Sequence, residues 1–149
     1  MLQSFLENEI FVRLMRVHVR ETLTLLFKEG VHFSLLANIA QVEFDPPLPE
    51  HITHNFKPIT MFVLAGYTFE SARVMEDELI FEAGFGQENI GSFVSVPLSA
   101  ILQIVIEETP ILINLSIPKE PEEKDNGGVE KSMEALLSNP ENQKLFKKS

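Results

Sequence analysis

Two histidines three residues apart, His51 and His54, have the spacing in this chain that best suits a metal ion, because imidazole nitrogens ligate zinc and related cations. They stand in a proline-rich connection with no third ligand in register. With no cysteine anywhere in the chain, two plain loop histidines are the simpler account. His18, within an apolar helical arc, and His32, at the start of a strand, read as hydrogen-bonded structural side chains. The glycines Gly84, Gly86 and Gly91 invite comparison with a phosphate-cradling loop. Such loops run into a helix N-terminus, whereas Ser92, Phe93, Val94, Ser95 and Val96 follow here and signal a strand, so a hairpin turn fits better. The acid clusters Glu76-Asp77-Glu78 and Glu107-Glu108 fall at strand ends, where solvated charge is the ordinary role. No nucleophile, base and orienting group converge by spacing, so the chain is expected not to be an enzyme and to need no metal or cofactor.

The whole-chain balance narrows the partners. A chain of 149 residues with 44% hydrophobic content suits one folded unit followed by a tail. Its formal charge of −10 and pI near 4.8 oppose phosphate binding, which needs clustered Lys and Arg, so no nucleic acid is expected as a partner. The absence of cysteine suits a reducing compartment. The first nine residues carry acids where a secretory signal would carry Lys or Arg, and no apolar run reaches spanning length. The expected location is cytoplasmic, without membrane contact.

The elements follow from periodicity. Residues 10–29 contain neither Gly nor Pro and predict a helix stopped by Gly30, a residue at ease in the left-handed conformation just past a C-terminus. Arg13, Arg16 and Arg20 form one polar stripe, while apolar residues occupy most of the remaining circumference. A helix sunk in its own core would account for that arc. A second copy of the chain covering part of it is the account favoured here, giving a homodimer.

From His32 onward the pattern is β. Residues 32–44 and 59–69 read as strands on either side of a connection that begins Asp45-Pro46-Pro47-Leu48-Pro49. Residues 79–85 and 92–96 follow as strands. One helical turn at residues 97–100 precedes a last run over 101–106 that continues through 111–117. The fold class expected is mainly β with an N-terminal α-helix, arranged as a two-sheet, partly open barrel. Residues 118–131 are charged and poor in apolar side chains, which predicts a flexible acidic linker. Residues 132–149 form a tail that ends on an apolar pair among lysines, Lys144, Leu145, Phe146, Lys147 and Lys148.

What remains is a surface for recognising an extended chain. Alternation over residues 79–85 puts Leu79, Phe81, Ala83 and Phe85 on one face, so the small Ala83 leaves a notch between two aromatic side chains. A peptide strand could lie there; equally, Ala83 and Gly84 could simply permit close sheet packing.

At these residues the chain resembles a known family. Residues 76–86, Glu76-Asp77-Glu78 leading to Glu82-Ala83-Gly84-Phe85-Gly86, are followed by residues 93–105, Phe93-Val94-Ser95-Val96-Pro97-Leu98-Ser99-Ala100-Ile101 and on to Val105. Together they are similar to the stringent starvation protein B (SspB) pattern of an acidic turn, a strand ending in Phe-Gly-Gly, and Val-x-Val-Pro-x-x-Ala-Val/Ile. Gln87 stands where the family has its second glycine. The resemblance covers residues 10–117, and it implies an Sm-like fold and a homodimer. It also implies a groove for ssrA-type degradation tags on polypeptides from stalled ribosomes, with Ala83 on its floor and Gly84, Phe85 and Gly86 beside it. It further implies a non-enzymatic adaptor, in which Lys144, Leu145, Phe146, Lys147 and Lys148 dock on the N-terminal domain of the ClpX unfoldase and deliver cargo to the ClpXP protease. Tethering of this kind acts through effective concentration. The runner-up is an Sm-like module for another protein or for RNA, without a protease partner.

Overall fold

The computed structural model describes residues 1–118, and residues 1–116 make one compact unit. It is a mixed α/β unit with two antiparallel four-stranded sheets and an N-terminal helix, and the sheets do not close into one barrel. All but the first residue of the linker expected over 118–131, and the tail with Lys144, Leu145, Phe146, Lys147 and Lys148, lie outside the described residues.

A short helix α1 (Leu2–Leu6) turns into the long helix α2 (Glu9–Glu29). Asn8 starts α2 because its side-chain oxygen accepts from the Ile10 and Phe11 backbone N–H groups at 2.8 and 3.1 Å, satisfying donors a helix start leaves open. Gly30 ends it at φ 71°, where its own N–H reaches Phe27 O and the Val31 N–H returns to Leu26 O. The wide apolar arc is covered only in part, with Ile10, Leu14 and Leu25 left exposed. Val19, Leu23 and Leu26 are buried in the core, and α1 lays the Phe5 ring 4.8 Å from that of Phe11. The arginine stripe holds the next acidic turn in place. Arg16 Nε lies 3.7 Å from Asp77 Oδ1, and an Arg20 nitrogen donates to Glu76 O at 3.1 Å.

The strands are β1 (Phe33–Asn38), β2 (Glu43–Asp45), β3 (Ile59–Leu64), β4 (Arg73–Val74), β5 (Glu78–Phe85), β6 (Ile90–Pro97), β7 (Ile101–Ile106) and β8 (Thr109–Ile113). One sheet has the order β3-β1-β7-β8 and the other β2-β6-β5-β4. Their inner faces meet through alternate residues: Leu35, Phe62, Leu64, Ile101 and Ile104 from the first, Leu79, Phe81, Val94 and Val96 from the second. Phe62 and Phe81 join the layers directly, with ring centroids 5.8 Å apart. The turn expected at residues 97–100 is a 3-10 turn at Leu98–Ala100.

Several elements differ from the sequence expectation, each for a local reason. The strand expected over 32–44 is interrupted after Asn38, whose side chain accepts from the Ala40 N–H and supports a 3-10 turn at Ile39–Gln41; β1 and β2 therefore belong to different sheets. The strand expected over 59–69 stops at Leu64, and a helix α4 (Gly66–Ser71) begins on Gly66 at φ 59°. The last run is a hairpin, reversed at Glu107 and Glu108, which both take positive φ. The acids there occupy turn positions. The proline-rich connection contains one short helix α3 (Glu50–Thr53), which includes His51.

Candidate functional site

An open cleft of about 560 Å³ that could hold a ligand lies at the far end of the β5–β6 hairpin. Tyr67 and Thr68 of α4 form one side of it, with Pro46 and Phe93 on the other, and the hairpin itself supplies Glu82, Ala83, Gly84, Gly91 and Ser92. Phe93 is half exposed and Tyr67 is 68% exposed, so two rings stand free beside a floor made of small residues.

Register explains why the floor is bare. Gly84 faces Gly91, and Ala83 faces Ser92. Glu82, Gly84, Gly91 and Phe93 alternate onto the outward side, while Phe81, Ser92 and Val94 point inward and are buried. A glycine pair in adjacent strands leaves a strip of backbone without side chains. Over Gly91 that strip is open, since a Cβ there would meet nothing within 4 Å. Over Gly84 it is covered by a polar side chain, because a Cβ there would collide with the Asn89 amide oxygen.

The hydrogen-bond alternation of an antiparallel pair directs the floor's backbone groups. The Glu82 N–H donates to Ser71 Oγ at 2.9 Å, on the side of β5 away from β6. Gly84, two residues on, turns its N–H and C=O the same way. Strand β4 pairs only with Leu79 and Ile80, so among the described residues no strand continues it alongside Gly84. Gly91 is turned toward the opposite edge, where β2 stops at the Asp45–Phe93 pair and Pro46 follows. The Ser92 hydroxyl donates to Pro46 O at 2.9 Å and fixes that rim. The cleft therefore offers unpaired backbone on both margins of the hairpin. An extended peptide pairs with such edges through its main chain and places alternate side chains against the walls.

The ionisable groups lining the cleft are few. Tyr67 donates its hydroxyl to a Glu82 carboxylate oxygen. That hydrogen bond first, then the Glu82 charge and lastly desolvation, raise Tyr67 above the ordinary phenol value of 10.0. The phenol is thus a neutral donor engaged with a carboxylate, and the lining contains no Lys or Arg.

The residues singled out from sequence separate into two places. Ala83 and Gly84 line the cleft. Phe85 packs instead with Phe44 and Phe56, ring centroids 5.5 and 6.0 Å away, on the inward side of the hairpin. Gly86 takes φ 74° in the reversal, with the Ile52 side chain close to where its Cβ would lie. Tyr67, Thr68, Asn89 and Phe93 were not anticipated. Phe93 is within reach of the alternation argument, since it lies on the outward side of a strand; Tyr67 and Thr68 are hidden because residues 59–69 read as one apolar strand. His51 Nε2 lies 3.6 Å from Glu88, and among the described residues no three His, Asp or Glu side chains gather as a metal site would require.

No protein-family model matches this sequence, and no curated protein matches it.

Proposed function

We propose that the chain is a non-enzymatic adaptor that holds an extended degradation tag of the ssrA type in the cleft beside Gly84 and Gly91. The observation that carries this reading is the glycine strip of unpaired backbone between Tyr67 and Phe93, open over Gly91 and overlaid by the Asn89 side chain at Gly84, which suits a peptide main chain. The SspB-like residues 76–86 and 93–105 include most of this same hairpin and run on through the turn after it into β7, so the resemblance and the cleft overlap in position. In this reading the two sheets are an Sm-like pair, and the chain works as a homodimer in the cytoplasm. Lys144, Leu145, Phe146, Lys147 and Lys148 dock on the N-terminal domain of the ClpX unfoldase: an apolar pair inserts and the surrounding lysines meet an acidic rim.

The test separates grip from delivery. Titration with the host's tag peptide should give saturable binding that Ala83→Gln abolishes. Deleting residues 140–149, or making Leu145→Ala/Phe146→Ala, should leave that binding unchanged while removing stimulation of tagged-substrate degradation by the host's ClpXP, because delivery depends on effective concentration. No saturable tag binding would refute the cleft reading. Equal stimulation by the full chain and both tail variants would refute the docking role.

A further inference from the structure

Across the outward side of the β2-β6-β5-β4 sheet, one row of cross-strand neighbours alternates carboxylates with rings. Phe93 on β6 lies opposite Glu82 on β5 and opposite Asp45 on β2, so its ring stands between two acids on the same face. Each strand fixes that orientation by itself. Phe44 turns inward to stack on Phe56, which leaves Asp45 outward, and Phe81 is buried, which leaves Glu82 outward. Beyond Glu82 comes Tyr67, whose hydroxyl donates to that carboxylate. The order is therefore acid, ring, acid, ring, and Phe93, Glu82 and Tyr67 also line the cleft.

Two ordinary explanations of the acids fall short. Charge on an edge strand guards it against pairing with other chains, which would account for Asp45 on β2. Glu82 stands on β5 where α4 already covers the margin through Ser71, so edge protection does not account for it. Nor do the acids hold bases of this chain. Among the described residues the salt bridges are Arg16–Asp77 and His51–Glu88, and Arg73, which register brings to this face opposite Ile80, forms none. Two carboxylates thus flank a ring that is 50% exposed, without a cation from the described residues. Tyr67 engages one Glu82 oxygen and leaves the other to a ligand.

We infer that this row binds a cationic side chain of a peptide lying in the cleft, arginine in preference to lysine. A guanidinium laid over Phe93 is drawn by the negative face of the ring, while its N–H groups point outward in its own plane toward the carboxylates on either side. Cross-strand neighbours stand about 5 Å apart at Cβ, a span that the guanidinium fork bridges from ring to acid. A lysine ammonium meets ring or acid as a point charge and holds its water more strongly. The net charge of −10 draws cationic peptides in from a distance but gives them no position; the row supplies one. The inference rests on the reading of the cleft as a seat for an extended peptide, and it extends the ligands from tags to arginine-bearing segments of untagged proteins.

Titration of the full chain at low salt with two capped, otherwise uncharged peptides tests it, one carrying a central arginine and the other citrulline, the neutral isostere. The arginine peptide should bind at least about tenfold tighter. Phe93→Leu and Asp45→Asn should each cut that preference to about threefold or less, with circular dichroism and thermal midpoint unchanged because both residues are exposed. Glu21→Gln, at an exposed acid on α2, should leave the preference intact. Equal affinity for the two peptides would overturn the inference. So would a preference that Glu21→Gln lowers as much as Asp45→Asn does, which would assign it to net charge. The host's tag peptide, titrated alongside, keeps the two readings apart. Tag binding without an arginine preference sinks this inference alone. An arginine preference that Phe93→Leu removes, without tag binding, upholds it and sinks the tag reading. No binding of any of the three peptides sinks both.

Discussion

Tyr67 donates its hydroxyl to the carboxylate of Glu82, tying the second residue of α4 to the fifth residue of β5 across the mouth of the cleft. The bond gives α4 a polar attachment in addition to Ser71, whose hydroxyl accepts from the Glu82 N–H and donates to Thr68 O. The helical turn that forms one wall of the cleft is thus held to the strand that forms its floor.

The first prediction uses the fact that Tyr67 is the chain's single tyrosine. Phenolate formation can therefore be followed by ultraviolet absorbance without interference. The midpoint should lie above 10.0, because both the hydrogen bond and the Glu82 charge disfavour the phenolate, and Glu82→Gln should lower it. The folded-state value is raised, so the phenol's contribution to stability is complete below the unfolded value and is lost as pH rises through the folded one. The stability difference between wild type and Tyr67→Phe should accordingly stay constant between about pH 6 and pH 9 and shrink above that. A wild-type midpoint at or below 10 would show that the pair is absent in solution.

How much of this arrangement the sequence carried depends on the range of the interactions involved. The long helix and its Gly30 stop were legible, because capping and periodicity are local, and so were the two strands of the hairpin, whose inward residues alternate cleanly from Leu79 to Val96. The cleft was half legible. Ala83 and Gly84 were marked by their small size, but Tyr67 reaches Glu82 only because Gly66 at φ 59° breaks what reads as a continuous apolar strand. The crossing from one sheet to the other at Asn38 was hidden for a similar reason: one side-chain oxygen bonding to Ala40 N–H interrupts a run whose composition is uniformly suited to a strand. Strand β4 has two residues and is held by pairing to β5, which no local pattern encodes.

A second prediction concerns Gly91. Its Cβ would project into open space and its φ lies outside the left-handed region, so alanine fits without strain. Gly91→Ala should leave stability unchanged or raise it by about 0.4–1 kcal/mol through the reduced entropy of the unfolded chain. If a peptide main chain lies on this strip, the same methyl should weaken binding by about tenfold or more, since it holds the ligand away from the floor. Isothermal titration and chemical denaturation on the same preparation decide it. Unchanged affinity with unchanged stability would place the peptide elsewhere.

Ala83 makes a contrasting case. It packs against the core cluster from its edge and also lines the cleft. Ala83 shares the inward face with Phe81 and Ser92, so a glutamine there has to find room at the edge of the core where the cleft begins. Ala83→Gln should therefore abolish peptide binding at a cost of no more than about 1–3 kcal/mol in stability, the usual penalty for an oversized side chain at a packed site. A larger loss, with the hairpin's chemical shifts displaced throughout, would identify Ala83 as a packing residue first.

Asn114 shows how the folded unit ends. It is 3% exposed, its Nδ2 donates to Ile101 O at 3.1 Å, and its Oδ1 accepts from both the Ser116 N–H at 3.0 Å and the Ser116 hydroxyl at 2.6 Å. Its backbone N–H also reaches Leu102 O at 2.8 Å, so the chain leaving β8 is fastened to the start of β7 although no strand pairing continues there. Asn114→Ala removes every side-chain bond of this group and leaves the Ile101 carbonyl and the Ser116 donors without their partner in a buried place. The expected loss is about 2–4 kcal/mol, from several hydrogen bonds at roughly 1 kcal/mol each plus the desolvation of orphaned groups. Asn114→Asp should also destabilise, because the carboxylate keeps the acceptor for Ser116 but cannot donate to Ile101 O and would bury a charge. Above the range in which that carboxyl ionises the aspartate variant should be the less stable form of itself, and acidification should restore part of the loss by returning a donor. Urea denaturation of the three proteins at neutral and mildly acidic pH measures this directly. An aspartate variant as stable as the wild type at neutral pH would mean that Asn114 is solvated and that the end of the domain is not fastened in this way.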